Sequence, residues 1–145
     1  MSITVDDMIK KLQKAKEDIP NMVEKIVLSN SQKVIELNRS VQLYQKGVDS
    51  YGNKLKPYRP NTIILKKERN QISKHTTLKD TGMFYNGFKV IMNANYLYIT
   101  SSDEKTDMLM EKYGKNILGL TKDNEITLYD EIITPELCEF LNKTI

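Results

Sequence analysis

The stretch that decides the fold class is Phe88 to Thr100, which reads Phe-Lys-Val-Ile-Met-Asn-Ala-Asn-Tyr-Leu-Tyr-Ile-Thr. It is rich in the β-branched and aromatic side chains that favour strands. Asn93-Ala94-Asn95 divides it, and asparagine suits a tight hairpin turn. The pattern predicts two antiparallel strands, at residues 88–92 and 96–100. A single hairpin is marginal on its own, so it must pack on other elements of the fold.

The N-terminal third predicts helices. Thr4 can cap a first helix, with Asp7 in the capping-box position and apolar residues following at spacings of three and four. Proline is tolerated in a first helical turn, so Pro20 predicts the start of a second helix. Its apolar stripe reaches Tyr44, is interrupted by Asn30, and predicts a helix of about 20 residues, roughly 30 Å long. Two interpretations of this stripe stay open: packing on its own domain, or contact with a neighbouring subunit.

Residues 45–62 predict turns. Asp49-Ser50-Tyr51-Gly52 is a turn signal, because glycine adopts a positive φ easily. Pro57 and Pro60 exclude a regular helix across this stretch. A calcium loop needs oxygen ligands at alternating positions and a final glutamate, and too few are present, so no metal site is predicted. Residues 62–65 predict a short helix or a strand, and residues 66–76 an exposed loop.

The C-terminal part predicts short helices. Ser101-Ser102-Asp103 offers an N-cap for a helix over residues 104–113, with Met108 and Leu109 facing inward and Gly114 ending it. Residues 123–133 predict a second short helix or a strand. Thr134 then caps a last helix, with Pro135 in its first position.

These elements predict an α+β fold with long amphipathic helices at the N-terminus, a small central sheet containing a hairpin, and short C-terminal helices. The length of 145 residues suits a single domain over residues 1–145. Within it we expect a helical part at 1–44, an α+β core at 45–121 and a helical tail at 122–145.

Composition excludes several classes of protein. With 39% apolar and 28% charged residues, the chain is neither disordered nor a membrane protein by composition. No apolar run approaches the roughly 18 residues that a spanning helix needs. The first seven residues are acidic and lack the apolar region of a signal peptide. We therefore expect the product to stay in the cytoplasm where it is made, with no membrane partner, unless a larger assembly carries it out.

The sequence shows little that points to catalysis. Cys138 is the single cysteine, lies among apolar residues, and is expected to be a small buried hydrophobe. His75 is the single histidine and lies in a polar stretch, so no nucleophile and base pair is evident. Asp103 and Asp107 have helical spacing, but such charges are usually solvated. We predict a protein that is not an enzyme, with no catalytic residues, no cofactor and no metal.

Charge is unevenly distributed. Residues 41–80 carry nine basic and three acidic side chains, whereas residues 81–145 carry six basic and ten acidic ones. This asymmetry suits head-to-tail packing of copies, or nucleic acid near the middle segment, or is a solvated surface without a role. Nineteen lysines against three arginines argue against sequence-specific recognition of bases. The residues predicted to face DNA or an acidic partner are Lys54, Lys56, Arg59, Lys66, Lys67 and Arg69.

The most specific local feature precedes the hairpin: Leu78-Lys79-Asp80-Thr81-Gly82-Met83-Phe84-Tyr85-Asn86-Gly87-Phe88. Asp80 or Thr81 can cap a short helix, and Gly82 lets the backbone turn into it at low steric cost. The following apolar residues form a short face that leads into the first strand. The segment thus predicts a compact joint between loop, short helix and hairpin.

This segment resembles the Leu-x-x-Thr-Gly-x-Leu/Phe-x-x-Ser-hydrophobic signature of phage virion-morphogenesis, neck and tail-completion proteins. Gly47-Val48-Asp49-x-x-Gly52 upstream and residues 109–120 downstream are also similar, so the resemblance covers about residues 43–121. It looks closest to small virion proteins of crAss-like Bacteroides phages. Phe84 stands where leucine is common and Gly87 where serine is common. The Arg-Pro-Phe element near the end of the family pattern is missing.

The resemblance implies a structural virion protein made in the host bacterial cytoplasm: a head–tail connector, neck or tail-completion subunit. It implies a homo-oligomeric ring at the portal–tail junction, with portal, other connector or tail proteins as partners and nonspecific contact with phage DNA. The expected interface or fold-critical residues are Asp80, Thr81, Gly82, Phe84, Phe88, Tyr113 and Gly114. The alternative is a small accessory protein that binds nucleic acid independently of sequence, and a third hypothesis is a small nuclease that uses Asp103 or Asp107.

Overall fold

The structure is a computed structural model that describes residues 2–93 and 95–144. In these residues, helices surround a two-stranded antiparallel sheet, which confirms the predicted α+β class. The elements are α1 (Val5–Ser29), α2 (Ser31–Glu36), α3 (Pro60–Glu68), α4 (Met83–Asn86), β1 (Phe88–Asn93), β2 (Tyr96–Ser101), α5 (Thr106–Tyr113), α6 (Lys122–Thr127) and α7 (Thr134–Thr144). Two π-helical stretches, Leu37–Lys46 after α2 and Leu128–Ile133 after α6, and a 3₁₀ turn, Lys115–Ile117, complete the order. No helix within the described ranges is long and apolar enough to cross a membrane.

Helix α1 begins as predicted but ends later. The Asp7 amide donates to Thr4 Oγ1 over 3.1 Å, and the Thr4 amide donates to the Asp7 carboxylate, so the capping box is confirmed. The predicted helix start at Pro20 is wrong, because Pro20 lies inside α1. An interior proline costs a helix about 3 kcal/mol. Pro20 itself is exposed on the solvent side of α1. The packing of the opposite side of α1 against α7 and residues 128–133 offsets the cost of the proline.

The predicted interruption at Asn30 is a true break between helices. The Asn30 side-chain amide donates to the Ile26 carbonyl over 2.8 Å, and the Asn30 backbone amide donates to the same oxygen. This satisfies the end of α1, and α2 starts at the next residue. The single helix predicted from Pro20 to Tyr44 is therefore wrong, and the chain instead bends after α1 and continues through α2 and its π-helical extension.

The predicted hairpin is confirmed. Strands β1 and β2 pair in a register that runs from Phe88 opposite Ser101 to Asn93 opposite Tyr96. Ala94, in the predicted turn, lies outside the described residues. Ile99 is buried while Tyr96 is exposed, so the sheet has an inner and an outer face. The inner face packs on α1 and α2, and this packing stabilises a hairpin that would be marginal alone.

The hydrophobic core joins α1, α2, the hairpin and the C-terminal helices. Its fully buried members include Val27 from α1, Val34 and Ile35 from α2, Leu43, and Ile117. Burying one such aliphatic side chain stabilises the fold by about 1.5–3 kcal/mol. The sheet and the helices that pack on its inner face therefore depend on one shared core.

A network of buried amide side chains ties the 117–121 segment to the helical N-terminal part. Gln42 Nε2 donates to the Gly119 carbonyl, and Gln42 Oε1 accepts from the Thr121 amide, both over 2.8 Å. Asn38 accepts from the Gly119 amide over 2.9 Å, and Asn124 donates to Gln42 over 2.8 Å. Buried polar groups are normally paired in this way. The network supplies partners for an irregular segment that has no strand beside it.

Several C-terminal expectations need correction. Helix α5 begins at Thr106, two residues later than predicted, although Gly114 ends it as expected with φ of 99°. Met108 was expected inside but is 56% exposed. Thr134 does not cap a new helix, because the helical backbone of residues 128–133 runs directly into α7. Residues 122–133 are helical, so of the two alternatives predicted for residues 123–133, helix or strand, the helix is correct. Cys138, predicted to be buried, is exposed.

The remaining ambiguities lie before the signature segment. Pro60 is the first residue of α3, so the 62–65 stretch is helical, whereas residues 66–68 continue that helix and were wrongly expected in a loop. The predicted turn at residues 49–52 is confirmed. Asp49 Oδ1 accepts from the amides of Tyr51 and Asn53, and Gly52 has φ of 80°. The Asp49 carboxylate thus organises the turn.

Candidate interaction surfaces

A groove lies between α3 and α5, with residues 78–84 as its floor. It encloses about 380 Å³, which falls within the range of about 300–1,000 Å³ typical of binding pockets. Leu65 and Met108 line it from the two helices and are both at least half exposed, while Leu78 and Phe84 form a buried apolar base. We call this surface the central groove.

The floor of the central groove is held in an unusual backbone conformation. Leu78 has φ of 61°, a region that costs an L-residue roughly 1–2 kcal/mol. Tyr58 compensates, since its hydroxyl oxygen accepts from the amides of Thr77 over 2.9 Å and Leu78 over 3.2 Å. From the other side, the Tyr85 hydroxyl donates to the Thr77 carbonyl. Burial, and then the neighbouring tyrosines, raise the pKa of Tyr85 well above its ordinary value, so the phenol remains a donor.

Two further side chains fix the end of the floor. Lys66 is only 7% exposed, its ammonium donates to the Lys79 carbonyl over 2.7 Å, and it lies 4.7 Å from the centre of the Tyr58 ring. Gln71 donates to the Asp80 carbonyl over 3.1 Å. A buried ammonium needs such partners. The expectation that Lys66 faces DNA or an acidic partner does not fit this position.

The lining of the central groove as a whole is positively charged. Five basic and two acidic side chains line the groove, a net charge of +3. Asp80 lies between two of the basic ones, 3.4 Å from Arg69 and 3.9 Å from Lys105. All three are more than half exposed, so these pairs contribute little to stability. The basic lining residues outnumber the acidic ones, so an excess of positive charge surrounds the apolar interior of the groove.

The structure brings together most of the residues predicted from the signature. Those that line the central groove are Asp80, Thr81, Gly82, Phe84 and Tyr113. Phe88 is buried behind them at the start of β1, and Gly114 ends α5. Asp80 or Thr81 was predicted to cap this short helix, but Gly82, with φ of 91°, occupies the N-cap position of α4. Thr81 Oγ1 only accepts from the Met83 amide over 3.4 Å.

A second surface is the N-terminal end of α1. Every residue from Ser2 to Lys14 is exposed, whereas Ala15 is almost fully buried. The exposed apolar side chains of this end are 45–66% accessible and lie on one stripe, formed by Ile3, Val5, Met8, Ile9 and Leu12. The same stripe is covered by the domain from residue 15 onward. We call residues 2–14 the free helix end.

A third surface is basic. Lys46, Lys54, Lys56 and Lys74 line a shallow groove that contains no acidic side chain, beside His75. The His75 ring nitrogen Nε2 donates to the Tyr44 carbonyl over 2.7 Å, which fixes the ring. We call this surface the lysine groove.

The six predicted basic residues are therefore dispersed. Lys54 and Lys56 lie in the lysine groove, and Arg69 lies on the rim of the central groove. Arg59 and Lys67 are exposed but line neither of the two grooves. One continuous face that includes all six is not present.

Sequence reasoning missed some members of these surfaces. Lys46 and Lys74 lie in the basic segment of the sequence, but its spacing gave no sign that they meet Lys54 and Lys56. The apolar residues of the free helix end were recognised as a helical stripe. A stripe shows which face is apolar and does not show how much of it the domain covers, so the sequence could not reveal that the first ten residues of α1 stand free.

The described residues, with the gaps at 1, 94 and 145, contain no group of three histidine, cysteine, aspartate or glutamate side chains that could hold a metal ion. Comparison with known proteins gives no match: no family model, curated protein or solved structure matches the chain. The surfaces described above are thus the observations from which a function must be inferred.

Proposed function

We propose that the chain is a structural virion protein of a bacteriophage, a head–tail connector, neck or tail-completion subunit that assembles into a ring at the portal–tail junction. The assignment to a phage particle rests on the resemblance of residues 43–121 to that family of proteins. The observation that carries self-assembly is the free helix end, whose apolar stripe is about half exposed to solvent. Contiguous exposed apolar surface on a small protein marks an interaction site.

The free energy available from burying this stripe supports a role in assembly, but it is too small to drive association alone. Complete burial of one large apolar side chain contributes about 1.5–3 kcal/mol, and the five residues of the stripe are roughly half covered already, so about 5 kcal/mol remains to be gained. Association costs an estimated 4–15 kcal/mol in lost freedom of motion. The stripe therefore needs a complementary apolar surface and the repeated contacts of a closed ring, in which each subunit has two neighbours.

The uneven charge of the sequence supports the same proposal. The middle of the chain is basic and the C-terminal part acidic, which suits contacts between unlike surfaces of successive copies. Exposed charges are screened by salt over about 8–10 Å at moderate ionic strength. The assembly should accordingly weaken as salt is raised.

Mass measurement of the purified chain over a range of concentration and salt tests self-assembly directly. We expect a closed oligomer by native mass spectrometry and rings by negative-stain electron microscopy. Ile9→Asp should dissociate it, whereas the matched control Lys14→Asp, at an exposed position on the opposite side of the same free helix end, should not. A chain that stays monomeric at high protein concentration contradicts the proposal.

The virion role needs its own experiment. Deleting the gene from the phage that encodes it should yield DNA-filled heads without tails, and the wild-type gene supplied in trans should restore infectious particles. Normal tailed particles from the deletion would show that the chain is not a connector or completion protein, even if it forms rings.

The lysine groove supports a second candidate function, sequence-independent binding of nucleic acid. Four lysines without a nearby acid form a surface that attracts phosphates. If all four neutralise phosphates, the affinity for duplex DNA should fall about a hundredfold between about 50 and about 200 mM salt. Fluorescence anisotropy with two unrelated duplexes tests this. Replacing Lys54 and Lys56 by alanine should weaken binding, and replacing Lys14 and Lys16 on α1 should not. Equal effects of the two pairs would contradict the proposal.

A further inference from the structure

The free helix end and the central groove are both apolar surfaces that lie open within one chain. The free helix end does not reach the groove of its own copy, since none of residues 2–14 lines that groove. An unbroken helix of 25 residues carries it, about 37 Å long. A second copy of the chain is thus the partner that can bring the two surfaces together.

We propose that the free helix end of one copy docks into the central groove of the next copy, so that copies join head to tail. This inference rests on the proposed function, because it names the contact that builds the ring. The contact is heterologous: one copy contributes the helix and the other the groove. Such contacts generate closed rings when the rotation between copies closes.

The apolar groups of the two surfaces correspond. Val5, Met8, Ile9 and Leu12 follow the spacing i, i+3, i+4, i+7, which is the pattern of anchors in helices that bind grooves. On the other side, Leu65 and Met108 flank the opening above the buried base of the central groove. The groove is large enough for anchor side chains at the tip of the helix, not for the entire helix.

The charges of the two surfaces also correspond. From residue 2 to residue 9 the helix tip carries Asp6 and Asp7 and no basic side chain. The central groove has a net charge of +3. The lysines of the free helix end begin at residue 10 and lie nearer the body of the domain. Insertion tip first therefore places two carboxylates among Arg69, Lys105 and Lys112 and keeps the lysines outside.

The basic lining distinguishes the central groove from a second apolar depression of the surface. That depression lies beside β2 and α6, is lined by Tyr96, Tyr98 and Tyr129, and has Glu125 as its sole charged lining residue within the described chain. It would repel the acidic tip and has no positive charge to attract it. Charge thus selects the central groove as the docking site for the helix tip.

A mixing experiment tests the head-to-tail contact. Met8→Asp places a charge on the helix tip, and Met108→Asp places one in the central groove; both side chains are exposed, so neither change should disturb folding. We expect each variant alone to be monomeric, with self-association weakened at least tenfold. An equimolar mixture should form dimers, because each pair retains one intact helix and one intact groove. Thermal unfolding should show that both variants fold like the wild type.

Matched controls and a cross-link complete the test. Lys14→Asp, on the side of the free helix end opposite the apolar stripe, and Ile126→Asp, at an exposed apolar position outside the groove, should assemble like the wild type. In a Cys138→Ser background, a chain with Ile9→Cys and a chain with Met108→Cys should form a disulfide-linked dimer under mild oxidation. Neither chain alone should do so.

The outcomes separate this inference from the proposed function. If the wild type assembles and Met108→Asp assembles equally well, the docking inference is wrong and self-assembly stands. The free helix ends would then pair with each other or bind elsewhere. If the wild type is monomeric at all concentrations, self-assembly itself is wrong and the docking contact is excluded with it.

Discussion

Replacing Tyr58 by phenylalanine removes one oxygen atom and tests how the floor of the central groove is held. The aromatic ring and its contact with Lys66 remain. The lost oxygen accepts hydrogen bonds from the amides of Thr77 and Leu78, and both residues are buried. Each buried donor left without a partner costs about 1–3 kcal/mol. With partial relaxation of the segment, we expect the free energy of unfolding to fall by about 3 kcal/mol.

Chemical denaturation and thermal melting measure this loss. For a domain of about 150 residues, 1 kcal/mol corresponds to about 2–4 °C, so the melting temperature should fall by about 6–12 °C. Tyr51→Phe is the matched control, because Tyr51 is 75% exposed and its change should stay within about 0.5 kcal/mol of the wild type. Equal stability of the two variants would refute the argument that Tyr58 supports the positive φ of Leu78.

Three further predictions concern other parts of the chain. Gln42→Leu should lower the free energy of unfolding by about 2–4 kcal/mol in urea melts, because it leaves buried groups of the 117–121 segment unpaired. Gln45→Leu, at an exposed position, should be nearly neutral. Similar losses for the two variants would contradict the role of Gln42. Cys138 is exposed, so a thiol reagent should label it in the native protein about as fast as in denaturant, and a strongly protected thiol would show that it is buried. A hydrogen bond from Ser40, with Arg39 contributing, lowers the pKa of Glu36, so its stabilising effect is present above about pH 4.5 and lost as pH falls through the lowered pKa. The stability difference between wild type and Glu36→Gln should therefore vanish in acid, and a difference that grows in acid would have the wrong sign.

The parts of the fold that sequence predicted are those with strong local signals. The capping box at Thr4, the hairpin and the stop at Gly114 each depend on a few neighbouring residues. Pro20 misled because tertiary packing of α1 offsets a local cost, which local rules cannot weigh. Met108 and Cys138 misled because short amphipathic helices show an apolar face without showing whether another element covers it.

For the central groove, the position of one wall could be predicted from the sequence, but the residues that complete it could not. The signature segment was recognised as a joint, and several of its residues line the central groove together with α5. The residues that shape the floor, Tyr58, Lys66 and Gln71, come from a separate stretch, and no local pattern links them to residues 77–80. Lys66 in particular looked like a surface charge, because Lys67 and Arg69 follow it closely in the sequence.

Gly87 stands where the signature that this segment resembles commonly has serine, and the packing around it gives that difference a physical reason and leads to a last prediction. Serine is common at this position in the signature, yet a Cβ on Gly87 would lie 2.6 Å from Ser101 Oγ and 3.0–3.1 Å from the backbone nitrogens of residues 102 and 103. Ser101 Oγ donates to the Phe84 carbonyl in the buried interior, so it cannot move without breaking that bond. The tight approach of residue 87 to the end of β2 therefore requires glycine.

Gly87→Ala should accordingly lower the free energy of unfolding by about 2–4 kcal/mol, the combined cost of overpacking and of a disturbed buried hydrogen bond. Gly82→Ala is the informative comparison. Gly82 has φ of 91° but open space around it, with the nearest atom, of Asn86, 3.9 Å from the added Cβ, so only backbone strain of about 1–2 kcal/mol applies. Urea denaturation of both variants measures the difference. If Gly87→Ala proves no more destabilising than Gly82→Ala, the close packing of the joint against β2 is not what excludes serine at this position, and the divergence from the signature would need another cause.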